Sequence, residues 1–184
     1  MSDRSYPTAA IEVGTRPPVR FTDRAGRQIA IRQVTDADTA VAALTAMYVA
    51  FDPVDRAQGI PPSEPAQITA WLERIITTDA VNVIAWDGDR AVGHATLVPD
   101  GDASELAIFV LQSHQEAGIG TRLLSALLGA GAAAGIERVW LSVERWNHAA
   151  LALYEKVGFE VCETAGFEIE MSLRLPASDA DDGL

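Results

Sequence analysis

Apolar positions along this chain follow two rhythms, a period of two and a period near 3.6, and the switches between them mark out its elements. From Gln28 to Val34, Ile29, Ile31 and Gln33 alternate with Gln28, Ala30 and Arg32, which predicts a strand. Thr35 or Asp36 then stands where a side-chain oxygen caps a helix running to about Ala50. Pro53, Gly59, Pro61 and Pro62 impose a loop. Ser63 opens a second helix to about Thr78, with Ile68, Trp71, Leu72, Ile75 and Ile76 at helical spacing. Val81–Trp86 and Ala91–Pro99 read as strands joined through Asp87, Gly88 and Asp89, a hairpin turn signal. Beyond them come a strand over Ser104–Leu111, a helix over Gly118–Ala134, a strand over Val139–Val143 and a helix over Asn147–Val157. Two final strands lie near Phe159–Glu163 and Phe167–Arg174. Early hairpin strands followed by strand–helix–strand–helix–strand give a mixed α/β sheet.

The periodic part occupies residues 28–175 and reads as one domain. Residues 1–27, rich in Pro and Arg, look like an N-terminal arm rather than a core segment. Residues 176–184 form a short acidic tail, expected to be mobile. The whole is 184 residues with a formal charge of −12, enough chain for one core-bearing domain.

The charge excludes a general nucleic-acid binder, which needs a basic footprint. It is also uneven: about +2 over residues 1–27, −7 over 28–103, −4 over 104–175 and −3 in the tail. Of the 14 basic residues only Lys156 is a lysine, and asparagine occurs only at positions 82 and 147. A GC-rich genome and a salt-adapted cytoplasm both produce that bias; the expectation carried forward is a salt-adapted host. Cys162 is the single cysteine, which rules out an internal disulfide and a cysteine-built zinc site. With no apolar run near 18 residues and no signal-peptide h-region, the expectation is a cytoplasmic chain that engages no membrane.

Two motifs carry chemistry. The first is a strand-to-helix junction, Gln115, Glu116, Ala117, Gly118, Ile119, Gly120 and Thr121. Free N–H groups of a first helical turn converge on one spot, and glycines let a diphosphate approach the backbone. Close helix–sheet packing accounts for the same glycines. The second motif opens at Asn147, a good helix cap, and ends at Gly158, a good helix stop. Between them Ala150, Leu153, Tyr154 and Val157 share one face, so Tyr154 is either a packed core tyrosine or a catalytic group.

Taken together, Gln115-x-x-Gly118-x-Gly120 after a strand and Asn147-x-x-Ala150-x-x-x-Tyr154-x-x-x-Gly158-Phe159 strongly resemble the GNAT superfamily of N-acetyltransferases. The likeness is specific over residues 104–160 and looser over 28–174. In overall look the chain is nearest to uncharacterised bacterial or archaeal members and reminiscent of protein-lysine acetyltransferases. The resemblance implies a mixed, mostly antiparallel sheet with one parallel strand pair splayed around the coenzyme A site, flanked by helices. It implies that amides of Gln115, Glu116, Ala117, Gly118, Ile119, Gly120 and Thr121 bind the pyrophosphate of acetyl-CoA, and that the strand Ile108, Phe109, Val110 pairs with the pantetheine arm. It places Asn147 near the pantetheine and the reaction centre, and gives Tyr154 the role of protonating the departing thiolate. Gln115 stands where many members carry Arg.

Strand parity sets Glu105, Ala107 and Phe109 on one face and Leu106, Ile108 and Val110 on the other. Glu105 is either a solvated carboxylate or, as the resemblance implies, the general base that takes a proton from an amine acceptor. No metal is needed, and none of His94, His114 and His148 forms a ligand pair. His94 is expected to be structural, Cys162 buried and inert, and the four tryptophans core or cleft-wall residues. Asp52, Asp55 and Glu64 lie in the presumed acceptor half, where they either attract a cationic amine or simply belong to a solvated loop. Two functions follow: an acetyl-CoA-dependent N-acetyltransferase acting on a small amine or protein lysine in a ternary complex, as monomer or homodimer, or a non-catalytic acyl-CoA-binding regulatory module.

Overall fold

The computed structural model describes residues 4–56 and 60–178. Eight strands form one sheet: β1 (Val19–Thr22), β2 (Gln28–Gln33), β3 (Val81–Asp87), β4 (Arg90–Asp100), β5 (Ala103–Val110), β6 (Arg138–Glu144), β7 (Glu160–Ala165) and β8 (Glu168–Arg174). Their spatial order is β1-β2-β3-β4-β5-β6-β8-β7, antiparallel throughout except for the parallel pair β5–β6. Four α-helices cover it: α1 (Ala37–Val49), α2 (Pro65–Ile75), α3 (Ile119–Ala133) and α4 (His148–Val157).

Alternation along β4 decides which helix lies on which face. A Cβ on Gly93 would come within 3.1 Å of Leu123 of α3, whereas the next residue, His94, meets Tyr48 of α1. α1 and α3 therefore cover opposite faces. On the α1 side Tyr48 packs edge-on against Trp71 and Phe109 with ring centroids 5.2 and 5.6 Å apart. On the α3 side Leu123, Leu124 and Leu127 are fully buried.

A buried polar chain fastens the α1 side to the sheet. The amide of Asn82 donates to the carbonyl of Ile75 (3.0 Å), at the end of α2, so its Oδ1 is the acceptor for His94 Nε2–H (2.8 Å). That fixes His94 as the Nε2–H tautomer, and Nδ1 accepts from the Tyr48 hydroxyl at 2.6 Å. Burial drives the His94 pKa down to about 3, so the ring is neutral. The structural role expected for His94 is the one it has.

Four details depart from the sequence reading. Within the arm, Val19–Thr22 add an edge strand whose alternate residues are half-buried, and Ile11 N–H donates to Arg174 O at 2.9 Å. The first 27 residues are in part a layer of the fold. α2 begins at Pro65, because proline suits a first helical turn, and ends at Ile75, where the Asn82 amide takes the terminal carbonyl. Cys162 is half-buried, on the edge strand β7, and burial pushes its thiol pKa up. Trp146 is 58% exposed and tilts against Phe167, so it is not a core residue. Gly59 and the tail beyond Ser178 lie outside the described residues.

Candidate active site

β5 and β6 are hydrogen-bonded neighbours only at Ser104↔Val139 and Glu105↔Trp140. Above that point they part, while β6 stays paired with β8 over its whole length. Leu106–Val110 thus carry backbone groups along one edge that no strand satisfies, which is where an extended ligand can add itself as a strand. Ile108, Phe109 and Val110 lie on this free edge, each half-buried.

At the top of β5 the chain passes through a 3₁₀ turn, Gln112–His114, into the Gln115–Thr121 loop. Glu116 (φ 58°) and Gly118 (φ 87°) are left-handed and flank Ala117. Gly118 is the N-cap of α3, without a side chain to satisfy the first N–H groups. A Cβ on Gly120 would sit 3.8 Å from Leu153 and 4.0 Å from Val110, so its absence opens space between α4 and the free strand edge. Bare amides, a helix dipole and that space fit a diphosphate and its arm.

Two long-range supports hold this loop in place, and nothing in the local sequence announces either. Arg24 N–H donates to Ala117 O (3.1 Å), and Arg27 Nη1 donates to Ser113 O (2.9 Å). Both come from the β1–β2 turn, itself organised by buried Asp23, which accepts from Ala25 N–H, Arg27 N–H and Arg27 Nε. From the other side the Gln115 amide bridges Val110 O (3.1 Å) and Asp55 Oδ2 (3.0 Å). Asp55 therefore braces the Gln115–Thr121 loop. Asp52 caps a 3₁₀ turn through the N–H of Val54 (2.9 Å), and Glu64 precedes α2 as its N-cap residue. His114 is buried between Ser113 Oγ and Asp87 Oδ2.

The two candidate proton-transfer groups lie on opposite faces of the parting strands. Glu105 shares its face with Phe109, hence with α1, and stands at the last β5–β6 pair. Partial burial, Asp100 and Glu170 push its carboxyl above the usual range, and Arg4 offsets part of that. Tyr154 is buried on α4, beside Phe159 (centroids 5.7 Å), and α4 shares the α3 side through Leu153, Gly120 and Val110. Burial pushes its phenol up to about 12, which keeps the proton on oxygen at neutral pH. Asn147 is exposed and caps α4 through Ala150 N–H (3.2 Å). His148 beside it is exposed.

A cluster that the sequence did not reveal stands next to Glu105. The Arg4 guanidinium lies 3.5 Å over the Trp140 ring, with Nε 2.9 Å from Glu170 and Nη1 3.5 Å from Asp100. Asp100 Oδ2 also accepts from the Trp140 indole at 3.0 Å. Among the described residues no group of three His, Cys, Asp or Glu side chains is arranged to hold a metal ion, and no helix is long and apolar enough to cross a membrane.

The sheet is thus parted at one parallel pair, with a glycine loop above the opening. The acetyltransferase (GNAT) family model matches residues 35–159, and the chain belongs to that family. An uncharacterized N-acetyltransferase of Mycobacterium tuberculosis is 32% identical over 82 residues, 44% of this chain, and the match spans about half (53%) of that relative's length. The ribosomal protein bS18-alanine N-acetyltransferase of Escherichia coli is 30% identical over 115 residues, 62% of this chain and 75% of that protein. Among solved structures, the GNAT domain of PAT from S. lividans superposes with a TM-score of 0.72 at 18% identity, over 85% of this chain and 96% of that one. For yncA of Salmonella typhimurium, solved with its cofactor acetyl-CoA, the TM-score is 0.66 at 22% identity, over 85% and 99%. The fold expected from the resemblance is the fold observed.

Proposed function

We propose that this chain is an acetyl-CoA-dependent N-acetyltransferase that passes an acetyl group directly to a primary amine held on the α1 side of the sheet. The observation that carries the reading is that Glu105 stands at the last β5–β6 pair on the α1 face, while α4, which carries Tyr154, lies against Gly120 and Val110 on the α3 face. Acetyl-CoA, when bound, supplies the activated thioester. Residues 116–121 hold its pyrophosphate through backbone amides, and the free edge of Leu106–Val110 aligns its arm. Glu105 takes a proton from the incoming ammonium, directly or through water, so that the amine attacks as a neutral nucleophile. Tyr154, neutral on the other face, donates its proton to the sulfur that leaves. The Ile108–Val110 amides lie where charge develops on the carbonyl oxygen, an electrostatic contribution that requires no metal. The family match and the acetyl-CoA-bound yncA support this reading, and the bS18-alanine relative favours a protein amine as acceptor.

Release of free thiol from acetyl-CoA with a panel of amines and short peptides tests the proposal. Tight coenzyme A binding with no amine-dependent thiol release is the outcome that rejects transfer in favour of a binding module. Glu105→Gln is expected to flatten the acid limb of the kcat/KM profile, because a carboxyl raised by burial and neighbouring acids must lose its proton before it accepts one. An unchanged pH profile removes Glu105 from the reaction. Gly118→Val forces a β-branched residue to φ 87°. At a strain of about 1–3 kcal/mol on the cradle, coenzyme A affinity is expected to fall by roughly 5–150-fold in calorimetry.

A further inference from the structure

Residues 4–7 lie on the acceptor face as a ligand would. Arg4 is inserted side chain first: its guanidinium covers Trp140, its side chain is only 9% exposed, and Glu170 and Asp100 flank it. The segment behind it is held by main-chain groups rather than by the identity of its side chains. Ser172 Oγ donates to Ser5 O at 2.8 Å and Arg174 Nε donates to Pro7 O at 3.1 Å. The receiving residues stand on the same face of β6 and β8, and Trp140 is the register partner of Glu105 at the point where β5 and β6 part.

We propose that Trp140, Glu170 and Asp100 form an acceptor subsite for a cationic side chain on an extended peptide, and that residues 4–7 occupy it in place of the substrate. The proposal rests on the acetyltransferase reading only in calling the peptide an acceptor. Three features select this occupant. A planar cation matches the stacked indole face and the two carboxylates, and Arg suits such a seat better than a compact ammonium. Ser172 and Arg174 add hydrogen-bond donors for carbonyls of an extended backbone. Because Arg4 is tethered, it competes at an effective concentration in the millimolar range, and an acceptor must displace it.

The test uses the full chain and a probe copied from its own residues 4–7, acetyl-Arg-Ser-Tyr-Pro-amide, titrated by calorimetry and by tryptophan fluorescence without acetyl-CoA. Arg4→Gln is expected to bind the probe about tenfold more tightly than the parent. Adding Glu170→Gln is expected to abolish that gain, with coenzyme A affinity unchanged as the check on folding. A probe carrying neutral citrulline in place of Arg should not bind the Arg4→Gln chain. Equal affinity of parent and Arg4→Gln for the probe overturns the proposal, as does citrulline binding as well as arginine. Spermidine binding as tightly as the peptide overturns its extended-peptide part. A protein that binds the probe yet acetylates no amine sinks the transferase reading and leaves the subsite standing; one that acetylates amines without the Arg4 effect does the reverse.

Discussion

Tyr154→Phe is expected to lower kcat by about 10²–10⁴-fold, the range that a positioned general acid supplies. The substitution removes one oxygen from a ring packed beside Phe159, so acetyl-CoA affinity should stay within about threefold. Only the step that expels the thiolate loses its proton source. On the proposed reading, the buried phenol, pushed up to about 12, keeps its proton through the working range and gives it up only to the departing thiolate. Thiol-release kinetics alongside calorimetry separate the outcomes. A parallel loss of affinity and rate makes Tyr154 a packing residue of α4, and an unchanged kcat removes it from the chemistry.

The second large effect concerns stability. His94 has a pKa of about 3 in the folded chain against an unfolded value near 6.5. Its contribution is therefore complete above pH 6.5 and is lost as pH falls towards 3, because the unfolded chain binds a proton that the native chain refuses. Across that window stability should fall by up to about 1.4 kcal/mol per pH unit from this group alone. Urea unfolding at several pH values measures the slope, and His94→Gln should remove its own share of it. Tyr48→Phe leaves Nδ1 without a donor and is expected to cost about 1–3 kcal/mol at pH 8. Since Tyr48 belongs to α1 and Asn82 holds the end of α2, hydrogen exchange on acidification should quicken first in these two helices.

The order and type of the elements were readable because apolar periodicity is strong wherever a face is buried. Asp36 and Asn147 announced helix starts for the same reason that they make them, an oxygen placed to receive a free N–H. The glycines at the start of α3 were legible as a strand-to-helix junction, and Gly118 adopts a φ that other residues resist. What stayed hidden was whatever depends on distant partners. Four residues of β1 between arginines and a proline carry too few alternations to stand out. Arg4 meets Glu170 across 166 positions, and Arg27 reaches Ser113 across 86. Such contacts are made by the topology, and a charged side chain near a terminus reads as solvated until the sheet places a partner beneath it.

Residues 4–27 contact both halves of the sheet and the loop before α3. Residues 4–7 rest on β6 and β8, Ile11 bonds the end of β8, and a Cβ on Gly129 of α3 would strike Gly14 O at 2.9 Å. β1 then closes the far edge, and the turn after it supports the Gln115–Thr121 loop. The sheet is two antiparallel runs, β1–β5 and β6–β8, joined at two residue pairs, and this segment contacts both. One stretch of chain thus joins both halves of the parted sheet, in addition to the two residue pairs at which β5 meets β6.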